Sequence, residues 1–180
     1  MSSLTIEREQ LWSEQVKKEV DRDYLNMGDR IGNIVGIVFI LFFTGAILYL
    51  QKLGYIFSPE FTTLDALFLY SVLLFGIAPG LVRIITGRKN VGRLFEVINA
   101  LLFLIVGTYF LIKFPFQIDG LYGILPGEIQ IALEWLDNSI FRILLIIGLL
   151  VTALSSIYNA IMYLLVRNEL RKKDSRSNNA

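Results

Sequence analysis

Few residues in this chain have the chemistry to do more than pack, and they gather at one depth. Glu96 is the one acid inside an otherwise uncharged apolar run, where an unpaired carboxylate is costly to bury. Arg93, three residues earlier, shares its helical face and can pair with it, and Asn99, three residues later, extends that face. Asn33 opens the first apolar run and Arg83 closes the second. In the fourth run, Ser155, Ser156 and Asn159 fall with Gly148, Thr152 and Tyr163 on a stripe of small and polar residues, and such stripes face other helices. Two chemistries fit the set Asn33, Arg83, Arg93, Glu96, Asn99, Ser155, Ser156 and Asn159. One is interhelical hydrogen bonding, each bond worth about 0.6 kcal/mol and at most about 2. The other is a cytoplasm-facing polar cavity that accepts a headgroup, an ion or a proton.

What is missing narrows the chemistry further. The sequence has no Cys and no His, which removes thiolate and imidazole zinc sites, haem and iron–sulfur ligation, cysteine nucleophiles and Ser-His-Asp triads. No metal, no cofactor and no catalytic residue is expected, and the chain reads as a non-enzyme. A net charge of +1, from 17 basic and 16 acidic residues, gives no general case for a nucleic-acid partner.

These side chains must be positioned by elements that the charge pattern makes plain. Of 180 residues, 54% are hydrophobic and 18% charged, against about 45–50% and about 25% in ordinary soluble domains. The charge-free gaps run for 21 residues after Arg30, 17 after Asp65 and 24 after Arg142, and a fourth of 19 after Arg93 holds only Glu96. About 20 helical residues cross a hydrocarbon core, with roughly 17–25 tolerated. The pattern predicts an all-α integral membrane protein, a four-transmembrane-helix bundle with spans near 31–51, 66–86, 94–113 and 141–166.

Orientation follows from Lys and Arg. Fourteen fall before the first span, between the second and third, and after the fourth, whereas Lys52, Lys113 and Arg142 fall on the other side. The positive-inside rule puts both termini in the cytoplasm and the chain in the cell membrane.

Outside the spans, residues 4–31 read as one amphipathic helix running into the first span. Trp12, Val16, Val20, Tyr24 and Met27 form its apolar stripe, placed to meet the membrane surface, the short loop near residue 89, or a partner. Thr63 reads as the N-cap of the second span, with Asp65 in its first turn. Ala78-Pro79-Gly80 marks a kink. Gly32 and Gly36 form a GxxxG pair that permits close backbone approach. In the second outer loop, residues 128–138 read as a short interfacial helix, with Trp135 and Tyr122 at headgroup level, the alternative for this loop being a re-entrant hairpin that lines a pore. The basic tail, 167–180, reads as disordered. The expected partners are the lipid bilayer and either a second copy of the chain or another membrane protein. The expected role is structural or accessory, a scaffold acting through protein contacts. The alternative is a small oligomeric channel or transporter using Glu96, Asn99 and Asn159.

Overall fold

The computed structural model describes residues 3–117 and 137–177, so the interfacial helix expected at 128–138 lies outside the described residues except for its last two positions. The described chain is helical throughout: α1 (Ser3–Asp21), α2 (Met27–Leu53), α3 (Thr63–Phe75), α4 (Ala78–Thr86), α5 (Lys89–Lys113) and α6 (Asn138–Ser177). Four stretches are long and apolar enough to cross a membrane: α2, α3 with α4, α5, and α6 as far as Lys173.

Local sequence chemistry sets most boundaries. The continuous helix expected over 4–31 is broken between Asp21 and Met27. Asn26 restarts the helix through a capping box, its side-chain oxygen accepting from Asp29 N–H at 2.8 Å while Asp29 accepts from Asn26 N–H at 3.2 Å. The backbone before it is used elsewhere: Leu25 N–H donates to the Gly87 carbonyl at 2.9 Å, and Lys89 N–H donates to the Asp23 carbonyl at 2.8 Å. α2 ends where Gly54 takes a left-handed conformation at φ 76°. The second span begins one residue earlier than expected, because Thr62, not Thr63, is the N-cap paired with Asp65. It is interrupted at Gly76–Ile77, two residues before Pro79, whose ring has no N–H to give to Phe75 and crowds its carbonyl. Gly87, at φ 66°, closes α4.

The tail expected to be disordered is the end of α6. This helix runs 40 residues, about 60 Å at 1.5 Å per residue, and stays helical to Ser177. Glu169 accepts from Lys172 at 2.6 Å one turn along the helix. Leu170 packs with Val20 against a small core of Val16, Met162 and Val166.

The long apolar helices are antiparallel and pack in chain order: α2 on α3 and α4, these on α5, and α5 on α6, and among the described residues α2 has no extended contact with α6. α1 lies against α6. One end of the assembly is marked by the pairing of Tyr24 with Arg88, the other by the pairing of Phe57 with Phe116. We call the first the terminal end, since α1 and the C-terminal part of α6 meet there, and the second the far end.

Burial is inverted relative to a water-soluble domain. In the most apolar window of each spanning stretch only 6–11% of residues are buried, and Phe42, Ile85, Ile105, Ile112 and Leu154 all point outward. Asp23, Asp65 and Asn90, by contrast, are buried. A Cβ at Gly32 or Gly36 would meet nothing within 4 Å among the described residues, so the GxxxG pair makes no close helix contact there.

Candidate functional site

The ion-paired residues of the terminal end come from four helices, α1, α2, α4 and α5. Arg83, in the last turn of α4, reaches across to Glu96 on α5, with Nη2 donating to Oε1 at 2.6 Å. Gly92 makes that reach possible: the aliphatic stem of Arg83 lies directly over its Cα, where any Cβ would overlap Cγ, Cδ and Nε. The partner of Glu96 is therefore Arg83 and not Arg93. The expected pair one turn apart on α5 does not form, because Arg93 instead donates to Glu19 of α1 at 2.5 Å. Lys89 pairs with Asp29 of α2 at 2.8 Å. Three ion pairs thus tie α5 to α4, α1 and α2.

Asp23 does the work that the N-cap of α5 cannot. Arg88 occupies that cap and offers no side-chain bond to the helix, leaving the first N–H groups without partners. The Asp23 carbonyl takes Lys89 N–H at 2.8 Å, and its Oδ1 takes Asn90 N–H at 2.8 Å. Asn90 in turn donates from Nδ2 to the Tyr163 carbonyl on α6 at 3.3 Å. The α1–α2 linker, α5 and α6 therefore meet at one node, with Asp23 only 1% exposed.

The remaining candidates divide. Asn33 Nδ2 donates back to the Asp29 carbonyl in its own helix at 2.7 Å, so its side chain does not enter the Arg83–Glu96 pair. Asn99 lies beside the α3–α4 break, its Nδ2 near Gly76, and lines an apolar groove with Phe39, Ile40, Phe43, Leu73 and Phe103. On α6, Ser156 is buried, Ser155 is exposed and Asn159 is partly buried; among the described hydrogen bonds none joins these three to the Arg83–Glu96 pair. Of the eight candidates, the structure joins only Arg83 and Glu96 directly. The stripe expected over 4–31 also splits: Val16 and Val20 of α1 dock on α6, while Trp12 of α1, Tyr24 of the linker and Met27 at the start of α2 stay exposed. Arg88 stacks over the Tyr24 ring at 5.4 Å and donates to its hydroxyl at 3.2 Å.

Sequence reasoning missed a second polar node at the far end. Asp65 is fully buried and accepts on both oxygens. Tyr109 O–H donates to Oδ1 at 2.6 Å; Lys113 Nζ and the Thr62 N–H and hydroxyl donate to Oδ2 at 2.5, 2.6 and 2.8 Å. Two signals were present in the chain: the Thr62-x-x-Asp65 capping box and the spacing of Tyr109 and Lys113, four apart on one helical face. An aromatic cluster of Phe57, Phe61, Phe110, Phe114, Phe116 and Phe141 surrounds this end. Phe114 holds a left-handed φ of 44°, with the Arg142 guanidinium 4.2 Å above its ring.

Chemically, these nodes join helices. Among the described residues no group of three acidic, His or Cys side chains is placed to hold a metal. Buried groups without a protein hydrogen-bond partner among the described residues are Asp23 Oδ2, Ser58 Oγ, Arg83 Nε, Asn90 Oδ1 and Asn99 Oδ1. Comparison of the chain with family models, with characterised proteins and with solved structures returned no match.

Proposed function

We propose that this chain is a multi-pass integral membrane protein that acts as a non-catalytic accessory or scaffold, with both termini in the cytoplasm. The membrane placement draws on the inverted burial: apolar side chains face outward over four long helices while Asp23, Asp65 and Asn90 are enclosed. Without lipid around it such a surface is an aggregation hazard, and with lipid it needs no other cover. The 14-to-3 division of Lys and Arg favours the cytoplasmic side for the terminal end.

The scaffold role rests on one observation. α6 continues past its apolar stretch as a charged helix, and α1 is fixed to it through Val16, Val20, Met162, Val166 and Leu170. A helical pair held this way presents a defined surface, which a disordered tail would not, and Trp12 stands on it 42% exposed. The transporter alternative needs Glu96, Asn99 and Asn159 in one polar cavity; Glu96 instead closes on Arg83, and Asn99 opens onto apolar side chains.

The test is photo-crosslinking in native membranes, with the reactive group at position 12 and, as a control, at position 42 on the lipid-facing side of α2. Specific adducts from position 12, to a second copy or to another membrane protein, are the expected result. An uncrosslinked lone monomer from both positions overturns the scaffold reading.

A further inference from the structure

We propose that the groove between α1 and the C-terminal part of α6 seats the phosphate of an anionic phospholipid. The inference rests on the membrane reading above and adds a ligand class to it. Two adjoining depressions, of about 320 and 340 Å³, share Lys17, Glu169 and Lys172. The first is lined further by Trp12, Val16 and Leu165; the second by Val20, Asp21, Lys173 and Arg176.

The order of these residues is what selects a lipid. From Leu165 to Arg176 the groove advances 11 residues along α6, about 17 Å, from an end where Trp12, Val16 and Leu165 lie with the uncharged Ser13 and Asn168 to one where Lys173 and Arg176 join the lining. The apolar end adjoins Met162 and Val166, the last buried turns of the apolar stretch. The cationic end lies beyond Arg167. A phospholipid at the edge of a leaflet has the same sequence of parts: chains, glycerol, then phosphate. Trp12 occupies the position of an interfacial aromatic anchor. An acidic peptide would match the charge but gives no reason for the apolar half to meet the end of a spanning helix.

Charge sets the sign of the ligand. Four cations, Lys17, Lys172, Lys173 and Arg176, face two carboxylates, Asp21 and Glu169. Among the described residues the carboxylates engage Lys172 at 2.6 Å and Lys173 at 3.7 Å, while Lys17 and Arg176 act on Glu169 only through space, so the groove keeps a cationic surplus. A lipid with a net negative headgroup satisfies that surplus, whereas a phosphatidylcholine headgroup brings its own cation into it.

The experiment uses the full chain as a Trp135→Phe variant, which leaves Trp12 as its single tryptophan. It is reconstituted into mixed phosphatidylcholine and phosphatidylglycerol vesicles in which one lipid or the other carries brominated chains that quench Trp12. Quenching several-fold greater from brominated phosphatidylglycerol than its bulk share predicts is the expected result. Each cation beside an anionic surface is worth about a fivefold preference, so Lys17→Gln with Arg176→Gln reduces the enrichment by roughly 25-fold at most, essentially to bulk. Lys18→Gln with Arg171→Gln removes equal charge from the same two helices outside the groove and leaves most of it. Equal quenching by the two lipids overturns the inference, as does equal loss in the two double variants. Displacement of the lipid preference by polyglutamate at matched charge gives the groove to an acidic peptide and overturns it as well. Alkaline carbonate extraction separates the levels: a chain that stays in the membrane without lipid preference sinks only this inference, and a chain that is extracted sinks the membrane reading with it.

Discussion

Asp23→Ala isolates one hydrogen bond at the node on which three elements converge. The substitution keeps the main-chain carbonyl that accepts Lys89 N–H, and removes the carboxylate that accepts Asn90 N–H at 2.8 Å. Asn90 is 5% exposed, so water does not simply replace the lost acceptor. A buried donor left without a partner costs about 1–3 kcal/mol, and loss of a helix N-cap about 1, at most about 2. Part of that is offset, because Asp23 Oδ2 is buried with no hydrogen-bond partner among the described residues and its desolvation is relieved when it goes. The net expectation is a loss of about 1–2 kcal/mol, roughly a 5- to 30-fold shift in the folding equilibrium. Asp23→Asn retains an oxygen for the same N–H and exchanges the unpartnered Oδ2 for an equally unpartnered amide NH2, so it loses less than the alanine variant. Reversible unfolding of the full chain in mixed micelles, followed by far-ultraviolet circular dichroism, measures both. Amide exchange at Asn90, faster in Asp23→Ala than in Asp23→Asn, locates the effect. An alanine variant as stable as the parent means that Asp23 does not cap α5. An asparagine variant as damaged as the alanine one means that the charge and not the hydrogen bond carries the node.

Other positions separate contacts that matter from those that do not. Gly92→Ala displaces the Arg83 stem, breaks the Arg83–Glu96 pair and costs about 1–3 kcal/mol by the same unfolding assay. Gly32→Ala and Gly36→Ala, with nothing within 4 Å, stabilise an isolated chain slightly through helix propensity, by about 0.5–1 kcal/mol; a loss of stability there instead marks that face as a contact between copies. At the far end, Lys113→Met leaves the buried Asp65 carboxylate without its cation and costs about 3 kcal/mol, more than Tyr109→Phe at about 1–2 kcal/mol; the reverse order contradicts the account of Asp65. Because the chain contains no Cys, Glu60→Cys and Ser175→Cys each give a single labelling site, and impermeant maleimide applied to sealed vesicles should reach them from opposite sides. Labelling of both from one side refutes the four-span topology.

The four long apolar helices were legible because a charge-free run of about 20 residues is a statement about length and solvent that needs no partner. The breaks were legible only where the cause is local. Pro79 marked the interruption of the second span, and the Thr62–Asp65 box set its start to within one residue of the expectation. What failed was everything decided across the chain. Periodicity carried the first helix smoothly through 4–31, yet residues 23–25 give their backbone groups to residues 87–89, a pairing more than sixty positions away that leaves no local trace. Arg93 is better placed than Arg83 for Glu96 by helical spacing. It loses because Gly92 opens a path for the Arg83 side chain and Glu19 draws Arg93 away. The tail has the composition of a disordered segment, and it is helical because it extends a helix already nucleated in the span and because Leu170 finds the α1 core.

The same long-range bonds explain how α1 can serve as a platform at all. A helix attached only through Val16 and Val20 buries too little apolar surface to hold its place, since each such side chain contributes about 1.5–3 kcal/mol at most, against an ordering cost of about 1–2 kcal/mol for every backbone residue fixed. Its attachment is reinforced at the other end of the same segment. Glu19 is paired to Arg93, and Asp23, two residues past the helix, caps α5 with both its carbonyl and its carboxylate. Lifting α1 away from α6 therefore breaks an ion pair and threatens the hydrogen bonds that begin α5, so its position is tied to the stability of the helical bundle. That coupling runs both ways. A ligand or partner that holds α1 against α6 stabilises the start of α5, and a substitution that weakens the start of α5, such as Asp23→Ala, loosens the surface that carries Trp12, Lys17 and Lys172. Trp12 quenching in the Asp23→Ala chain reads that link directly: a smaller lipid preference with the spans still inserted is the outcome this arrangement requires.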